Sequence, residues 1–199
     1  MERTRLHLLR HGQVEGFEEK RYNGQADVAL TDLGRQQYQR LRQRLVDCHL
    51  AAIYTSDLRR CVWGAELIAT EHGLVPVQDR QLRELNIGHW EGKTWQQLMA
   101  EYPEEWQARL ADLVNYQVRD GESLLQMAGR VRTALQHILE RHRGGEVVLV
   151  GHGGSNRAIL LDAIGAPLAR MFHIEQDYGC YNCIDYYSDG IAVVKRLNL

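Results

Sequence analysis

The sequence has no excess of charge of either sign. Its 199 residues include 24 lysines and arginines against 26 aspartates and glutamates, for a net charge of −2. Proteins that bind nucleic acids or membrane surfaces usually carry a basic face that shows in such totals. The balance therefore argues against both classes of partner.

Long apolar stretches and targeting segments are also missing. No apolar run approaches the roughly 20 residues that a membrane-spanning helix needs. Residues 1–5 lead directly into a predicted strand, without the apolar segment of a secretory signal. We therefore expect a cytoplasmic protein, monomeric or homodimeric, with no membrane partner.

Cysteine is sparse, with Cys48, Cys61, Cys180 and Cys183 the four in the chain. Only the last two have a Cys-x-x-Cys spacing known from metal and redox sites. No second such pair or compact histidine pair accompanies them, and aromatic residues flank them as in a strand. We predict structural thiols without disulfides, with a zinc or redox site as the alternative.

Strand and helix patterns alternate along the chain, without repeats or low-complexity tracts. Short apolar runs predict buried strands at residues 6–9, 51–54 and 147–150. A helix capped by Thr31 follows the first strand, and residues 55–57 are predicted to cap a helix after the second. This order predicts an α/β fold with a mostly parallel central sheet and helices on both faces.

The length suits a single domain over residues 1–199. Between about residues 81 and 119 no strand pattern is visible, and Thr94 and Pro103 are positioned to open short helices. We predict that this segment is a helical cap inserted over the pocket at the carboxyl edge of the sheet. Residues 181–197 alternate around a turn and predict a C-terminal hairpin.

Two predicted strands end in similar polar sequences, Arg10-His11-Gly12 and Gly151-His152-Gly153-Gly154. Because parallel strands present their carboxyl ends at one edge, the two histidines are expected to face each other there. The second strand would bring residues 56–60, with two arginines, to the same edge. Such a cluster of cations repels itself unless an anion joins it, and the implied ligand is a dianionic phosphoryl group. The alternative is a set of polar strand ends that face water.

Phosphoryl transfer requires positive charge around the transferred group and a proton for the leaving oxygen. No Walker-type lysine loop is present, and arginines and histidines can supply the charge without a metal. Glu84 is our candidate acid, since its apolar neighbours favour the protonated form. Glu15, Glu18 and Glu91 are competing candidates, and Glu84 as an ordinary surface carboxylate is the remaining alternative.

Five blocks in order along the chain resemble the histidine phosphatase superfamily, which includes phosphoglycerate mutases, fructose-2,6-bisphosphatase and α-ribazole phosphatase. Any one block would be a weak signal, but five in one chain are a strong one. The blocks are residues 9–12, 21–34, 56–61, 82–92 and 151–154.

The resemblance implies a role for each matching residue. His11 would attack phosphorus as a neutral imidazole, with its other nitrogen donating to a backbone carbonyl. Glu84 would protonate the leaving group and then activate the water that hydrolyses the phosphohistidine. Neither a metal nor a cofactor is implied. The residues that would bind the substrate are Arg10, Gly12, Asn23, Gly24, Arg60, His152 and Gly153.

Three positions depart from the family pattern. Val14 and Phe17 stand where many members have residues that can contact phosphate, and Gly64 replaces a common threonine. These departures affect the expected substrate more than the expected chemistry.

The sequence thus predicts a metal-independent phosphomonoesterase acting on a small phosphorylated metabolite. The form of residues 21–34 favours α-ribazole 5′-phosphate, a substrate in cobalamin biosynthesis. The alternatives are phosphoryl transfer of the phosphoglycerate mutase type and a phosphate-binding scaffold without turnover.

Overall fold

The computed structural model describes residues 2–199, and a six-stranded sheet lies at its centre. The strands are β1 (Arg3–Arg10), β2 (Leu50–Thr55), β3 (Val77–Gln78), β4 (Glu146–Gly151), β5 (Tyr181–Tyr187) and β6 (Ala192–Arg196). They lie in the order β3-β2-β4-β1-β5-β6. The first four of these pair in parallel, whereas the β5–β6 hairpin is antiparallel to β1. The predicted mostly parallel sheet and C-terminal hairpin are both confirmed.

Six α-helices connect the strands, and most begin where the sequence predicts. Thr31 accepts a hydrogen bond from the Gly34 amide at the start of the first helix (3.0 Å), and Ser123 forms a capping box at the start of the fifth. Such caps satisfy backbone donors that the first turn leaves unpaired. The helices are α1 (Asp32–Leu45), α2 (Arg59–His72), α3 (Trp95–Glu101), α4 (Pro103–Ala111), α5 (Leu124–Arg141) and α6 (Gly153–Ala163).

The predicted cap of α2 is wrong. This helix begins at Arg59 after Leu58, and its first amide donates to the carboxylate of Asp27, from a distant loop (2.8 Å). The Asp57 carboxylate instead accepts two hydrogen bonds from the Arg83 guanidinium, each 2.6 Å long. The bidentate ion pair engages the Asp57 carboxylate, and the carboxylate of Asp27 caps α2 in its place.

Helices cover both faces of the sheet, as predicted. Leu6 and Leu8 on β1 pack with apolar residues of α5 and α6. Leu9, which points to the opposite face, packs with residues of α1 and α2. The alternation follows from the two-residue period of a strand. It leaves the carboxyl ends of β1, β2 and β4 as the open edge between the two layers.

Residues 81–119 form helices α3 and α4 and two short 3₁₀ turns, as expected for a helical cap. Tyr22 from the preceding loop lies among three cap tryptophans, with ring centroids 6.1 to 6.5 Å from those of Trp90, Trp95 and Trp106. Its backbone amide also donates to the Lys93 carbonyl (3.0 Å). The loop and the cap are therefore packed into one wall beside the sheet edge.

All four cysteines are free thiols. Burial raises the pKa of the Cys180 thiol to about 11, so that it stays neutral. Within residues 2–199, one group of three side chains is close enough to share a metal ion, and it consists of His7, Cys48 and Glu146. Neither Cys180 nor Cys183 belongs to this group. None of the helices in this part of the chain is both long and apolar enough for a membrane span.

Candidate active site

The parallel pairing of β1 with β4 places His11 beside His152. Arg10 is opposite Gly151 in the register, and the His11 amide donates to the Gly151 carbonyl (3.0 Å). The two imidazole centroids are 5.2 Å apart, and both side chains are buried. The predicted convergence of the two histidines at one sheet edge is confirmed.

His11 is held as a neutral imidazole with one nitrogen unengaged. Its Nδ1 lies 2.8 Å from the Gly12 carbonyl oxygen, which can only accept, so the proton is on Nδ1. Burial, reinforced by the positive charges of Arg60 and Arg10, holds the pKa of His11 well below its ordinary value. The lone pair on Nε2 is therefore available to attack an electrophile.

Arg60 lies in the first turn of α2 and is almost completely buried. Its Nε is 3.3 Å from His152 Nδ1. Its terminal nitrogens donate to the carbonyls of Ala26 (2.6 Å) and Gly24 (2.8 Å). Arg60 thus places a fixed positive charge beside the histidines and anchors the loop that contains Gly24.

Arg10 places a second guanidinium beside His11, in the wall of the same cavity. Its Cζ lies 3.9 Å from the centroid of the Tyr178 ring, and Nη1 donates to the Gln176 carbonyl. Its Nε is buried and has no partner within residues 2–199. A buried donor without an acceptor is costly, and an anion in the pocket would satisfy it.

Glu84 lies against the first turn of α6, in the wall of the cavity that His11 also lines. Its Oε2 accepts from the Gly154 amide and its Oε1 from the Leu85 amide, both at 2.8 Å. We expected apolar neighbours around this carboxyl group, but both of its oxygens accept hydrogen bonds from backbone amides. Of the competing acids, Glu91 accepts from the Gln25 amide (2.6 Å), and Glu15 and Glu18 lie on the exposed loop.

Arg10, His11, Arg60 and Glu84 line a cavity of about 270 Å³, whereas His152 is fully buried outside its wall. Asn23, Gly24 and Gly153 are part of its wall, as predicted for substrate contacts. Gly12 is outside the wall and packs on α1, where a Cβ would come within 2.3 Å of the Gly34 carbonyl oxygen. The charged and aromatic wall residues that the sequence analysis did not assign as substrate contacts are Arg21, Tyr22, Trp95, Arg109, Arg157, Phe172 and Tyr178.

Arg157 carried a signal that the sequence analysis overlooked. It follows Gly153 by four residues on α6 and therefore lies on the same helix face. Its Nε donates to the Ile174 carbonyl (2.7 Å), and its Nη2 lies 3.3 Å from Glu175 Oε1. Arg109 had no comparable signal, because it belongs to a cap helix far from every recognisable block.

Comparison with known proteins identifies the family. The model of the histidine phosphatase superfamily (branch 1) matches residues 6–199. This chain belongs to that superfamily. It is accordingly an enzyme of the phosphatase and phosphoglycerate mutase type.

Three similar proteins show the range of this superfamily. Phosphoglycerate mutase-like protein 4 of Arabidopsis thaliana is 36% identical over 155 residues, which cover 76% of this chain and 67% of the plant protein. Phosphoserine phosphatase 1 of Hydrogenobacter thermophilus is 29% identical over 196 residues, covering 98% of this chain and 92% of its own length. The crystal structure of α-ribazole phosphatase from Shigella flexneri has a TM-score of 0.90 at 28% identity, covering 98% and 96%.

Gly64, which departs from the histidine phosphatase pattern, makes room for Tyr38. A Cβ on Gly64 would lie 1.8 Å from the Tyr38 ring. The Tyr38 hydroxyl donates to the Arg60 carbonyl (2.8 Å). This buried hydroxyl therefore links α1 to the helix start that carries Arg60.

The other two departures lie outside the cavity wall. Val14 is fully buried in the core, and its backbone pairs with that of Leu30. Phe17 is partly exposed in a short 3₁₀ turn. Core packing explains the apolar side chain of Val14, and nothing in the structure explains that of Phe17.

We predict that the protein loses stability as the pH falls below about 6.5. Burial holds the pKa values of His11 and His152 well below normal, whereas both histidines titrate normally, at about 6.5, in the unfolded chain. Below that pH the unfolded state binds protons that the folded state does not, so each histidine costs up to about 1.4 kcal/mol per pH unit. Denaturant unfolding between pH 5 and 8 measures this slope.

His11→Gln is expected to reduce this slope, because it removes one of the two buried groups. His137→Gln is the matched control, since His137 is exposed on α5. Equal slopes for His11→Gln and the wild type would contradict the prediction.

Tyr38→Phe is expected to lower the free energy of unfolding by about 1–3 kcal/mol, because the Arg60 carbonyl loses a buried donor. It should also weaken the binding of inorganic phosphate, measured by calorimetry, since the position of Arg60 depends on that bond. Tyr187→Phe, at the far end of the sheet, is the control. Phosphate affinity unchanged from the wild type would show that the hydroxyl does not position Arg60.

Proposed function

We propose that the protein is a metal-independent phosphomonoesterase that acts through a phosphohistidine on a small phosphorylated metabolite. The observation that carries the proposal is the state of His11, a buried neutral imidazole whose Nε2 is unengaged. Two guanidinium groups flank it, and a carboxylate lies in the same cavity. These are the nucleophile, the charge stabilisers and the acid that phosphoryl transfer requires.

In the first step, the Nε2 lone pair of His11 attacks phosphorus. The N–P bond forms as the bond from phosphorus to the ester oxygen breaks, and its electron pair leaves with that oxygen. Glu84, protonated when the dianionic ester binds, gives its proton to the oxygen, and the alcohol departs. Arg10, Arg60 and His152 hold the phosphoryl oxygens, and the amides at the start of α6 add further donors.

In the second step, water attacks the phosphohistidine. The Glu84 carboxylate takes a proton from the water as the new O–P bond forms. The N–P bond breaks, and its electron pair returns to Nε2 of His11. Inorganic phosphate leaves, and Glu84 is again protonated, so one ester and one water give one alcohol and one phosphate.

The position of Glu84 supports both of its roles. Its Oε2 is bonded to the Gly154 amide, which belongs to the helix start that would bind a phosphoryl oxygen. A phosphoryl group that takes over this amide releases the carboxylate next to the ester oxygen. The negative charge of the phosphoryl group then favours protonation of Glu84.

α-Ribazole 5′-phosphate is one candidate substrate, which would place the enzyme in cobalamin biosynthesis. The similarity to the Shigella flexneri α-ribazole phosphatase supports it, and so do the aromatic residues Tyr22, Trp95, Phe172 and Tyr178 in the cavity wall. Phosphoserine is a second candidate from the Hydrogenobacter thermophilus relative, and the Arabidopsis thaliana relative supports the mutase alternative. The complete set of site residues favours turnover over a scaffold role.

We predict that His11→Ala abolishes hydrolysis of p-nitrophenyl phosphate, measured with EDTA present, because within residues 2–199 no other histidine lines the cavity. The melting temperature should change little, since the lost ring lines the cavity and belongs to neither apolar core cluster. His137→Ala, at an exposed position, should retain full activity. Wild-type turnover by His11→Ala would exclude the phosphohistidine route.

We predict that Glu84→Gln affects substrates according to their leaving group. An alkyl phosphate should lose about 10²–10⁴-fold in kcat/KM, which reports the transfer of the phosphoryl group to His11, because its alkoxide needs a proton. p-Nitrophenyl phosphate should lose far less, since p-nitrophenolate leaves without one. Glu91→Gln is the control and should show neither loss. An equal loss on both substrates would remove Glu84 from the role of acid.

A further inference from the structure

A second group of reactive side chains lies on the sheet, away from the cavity. His7 of β1, Cys48 in the turn before β2 and Glu146 at the start of β4 have donor atoms within 4.8 Å of one another. His7 is almost completely buried, and the other two are half-buried. None of the three lines the cavity or takes part in the proposed reaction.

The alternation of side chains along the strands places the three residues on one face of the sheet. His7 is two residues before Leu9, which packs with residues of α1 and α2. Glu146 is two residues before Val148, which belongs to the same apolar cluster. Cys48 packs against that cluster from the turn that follows α1. The fold thus brings three separate segments together beside α1.

The spacing of the donor atoms suits zinc. Nε2 of His7 is 3.1 Å from Oε2 of Glu146. Tetrahedral zinc, with bonds of about 2.0–2.3 Å, holds its donors about 3.3–3.7 Å apart, so this pair is nearly in place. Sγ of Cys48 is within 4.8 Å of both atoms and needs to move by about 1 Å at most. A thiolate and an imidazole in the set favour zinc over magnesium or calcium, which prefer oxygen ligands.

Neighbouring residues orient two of the three donors. The Tyr181 hydroxyl lies 2.9 Å from Nδ1 of His7. Arg3 donates to Oε1 of Glu146 (2.9 Å), while Oε2 is the oxygen next to His7. Histidine ligands of metals almost always have such a partner on the second nitrogen, which fixes the tautomer and the ring orientation. Contacts outside the group therefore hold both donor atoms in position.

The charges around the group are compatible with a cation. Asp185 neutralises Arg5 through bonds of 2.7 and 2.9 Å. Burial lowers the pKa of His7, which keeps the imidazole neutral. A thiolate and the Glu146 carboxylate together match the double charge of zinc. Only the partly exposed Arg3 then loses its counterion, which favours exchangeable over permanent binding.

We propose that His7, Cys48 and Glu146 form an exchangeable zinc site, with a water molecule as the fourth ligand. Three protein ligands and one open position distinguish such a site from a closed structural one. When zinc binds, the S–H bond of Cys48 breaks, the S–Zn bond forms and the proton passes to solvent. Nε2 of His7 gives up its proton to bind zinc, and Nδ1 takes up a proton that it donates to the Tyr181 hydroxyl.

The zinc site is independent of the proposed phosphatase function. His7 is four residues before His11, and a strand rises about 3.3 Å per residue, so the two are about 13 Å apart. Zinc at this site would instead connect the turn after α1 to β1 and β4. Its binding therefore stabilises the fold without entering the reaction.

Titration with zinc and with cobalt tests the site. We expect the chelator-treated wild-type protein to bind one Zn²⁺ per chain in calorimetry, to release one proton and to melt at a higher temperature. Co²⁺ in the same site should show the near-ultraviolet charge-transfer band of a thiolate ligand. No stoichiometric zinc binding, or a cobalt complex without that band, would overturn the proposal.

Variants identify the ligands. Cys48→Ser should weaken zinc binding at least about 100-fold and abolish the cobalt band. Tyr181→Phe should weaken binding about 10–100-fold and keep the band, because it removes the partner that orients His7. The matched controls are His49→Gln, at an exposed position next to Cys48, and Cys180→Ser, which changes a thiol outside the group. Both controls should bind zinc as the wild type does.

Two results would assign the metal to other ligands and overturn the site. One is a cobalt band that persists in Cys48→Ser, and the other is loss of zinc binding in His49→Gln. If Cys48→Ser does not fold, the stoichiometry and the cobalt band of the wild type decide.

Hydrolysis of p-nitrophenyl phosphate with EDTA present separates the two proposals. Wild type and Cys48→Ser should have equal activity, because the zinc site lies outside the cavity. Activity without zinc binding would overturn the zinc site alone. Zinc binding without activity would overturn the proposed phosphatase function alone.

Discussion

The parallel pairing of β1 with β4 is the constraint on which the site depends. It brings two residues 141 positions apart in the chain, His11 and His152, to imidazole centroids 5.2 Å from each other. The backbone hydrogen bond from His11 to Gly151 fixes the register at the point where both strands end. A shift by one residue would turn one histidine into the opposite helix layer, because side chains alternate along a strand.

The buried guanidinium groups of Arg10 and Arg60 determine the chemistry at this edge of the sheet. Arg60 and Arg10 lower the pKa of His11 beyond the effect of burial, which keeps the imidazole neutral and nucleophilic. Arg10 is incompletely satisfied until an anion arrives, because its buried Nε has no partner within residues 2–199. Recognition of a phosphoryl group and activation of the nucleophile therefore have one electrostatic cause.

The sequence could predict what depends on local pattern. Short apolar runs located β1 and β4, Thr31 marked the start of α1, and the polar sequences after the strands located the histidines. It could not predict contacts that only the folded chain creates. Asp57 pairs with Arg83 instead of capping α2, and Glu84 is bonded to the start of α6. Arg109 was missed because its burial in the cap depends on packing among aromatic residues from separate segments.

The hydrogen bonds of Arg60 to the carbonyls of Gly24 and Ala26 have a consequence for how the enzyme could diversify. One guanidinium both faces the reacting centre and supports the loop whose residues line the cavity mouth. Loop side chains are then free to vary, as long as the main-chain path preserves these two acceptors. With anchoring assigned to the backbone and variation to the side chains, relatives can keep the same chemistry and act on different substrates.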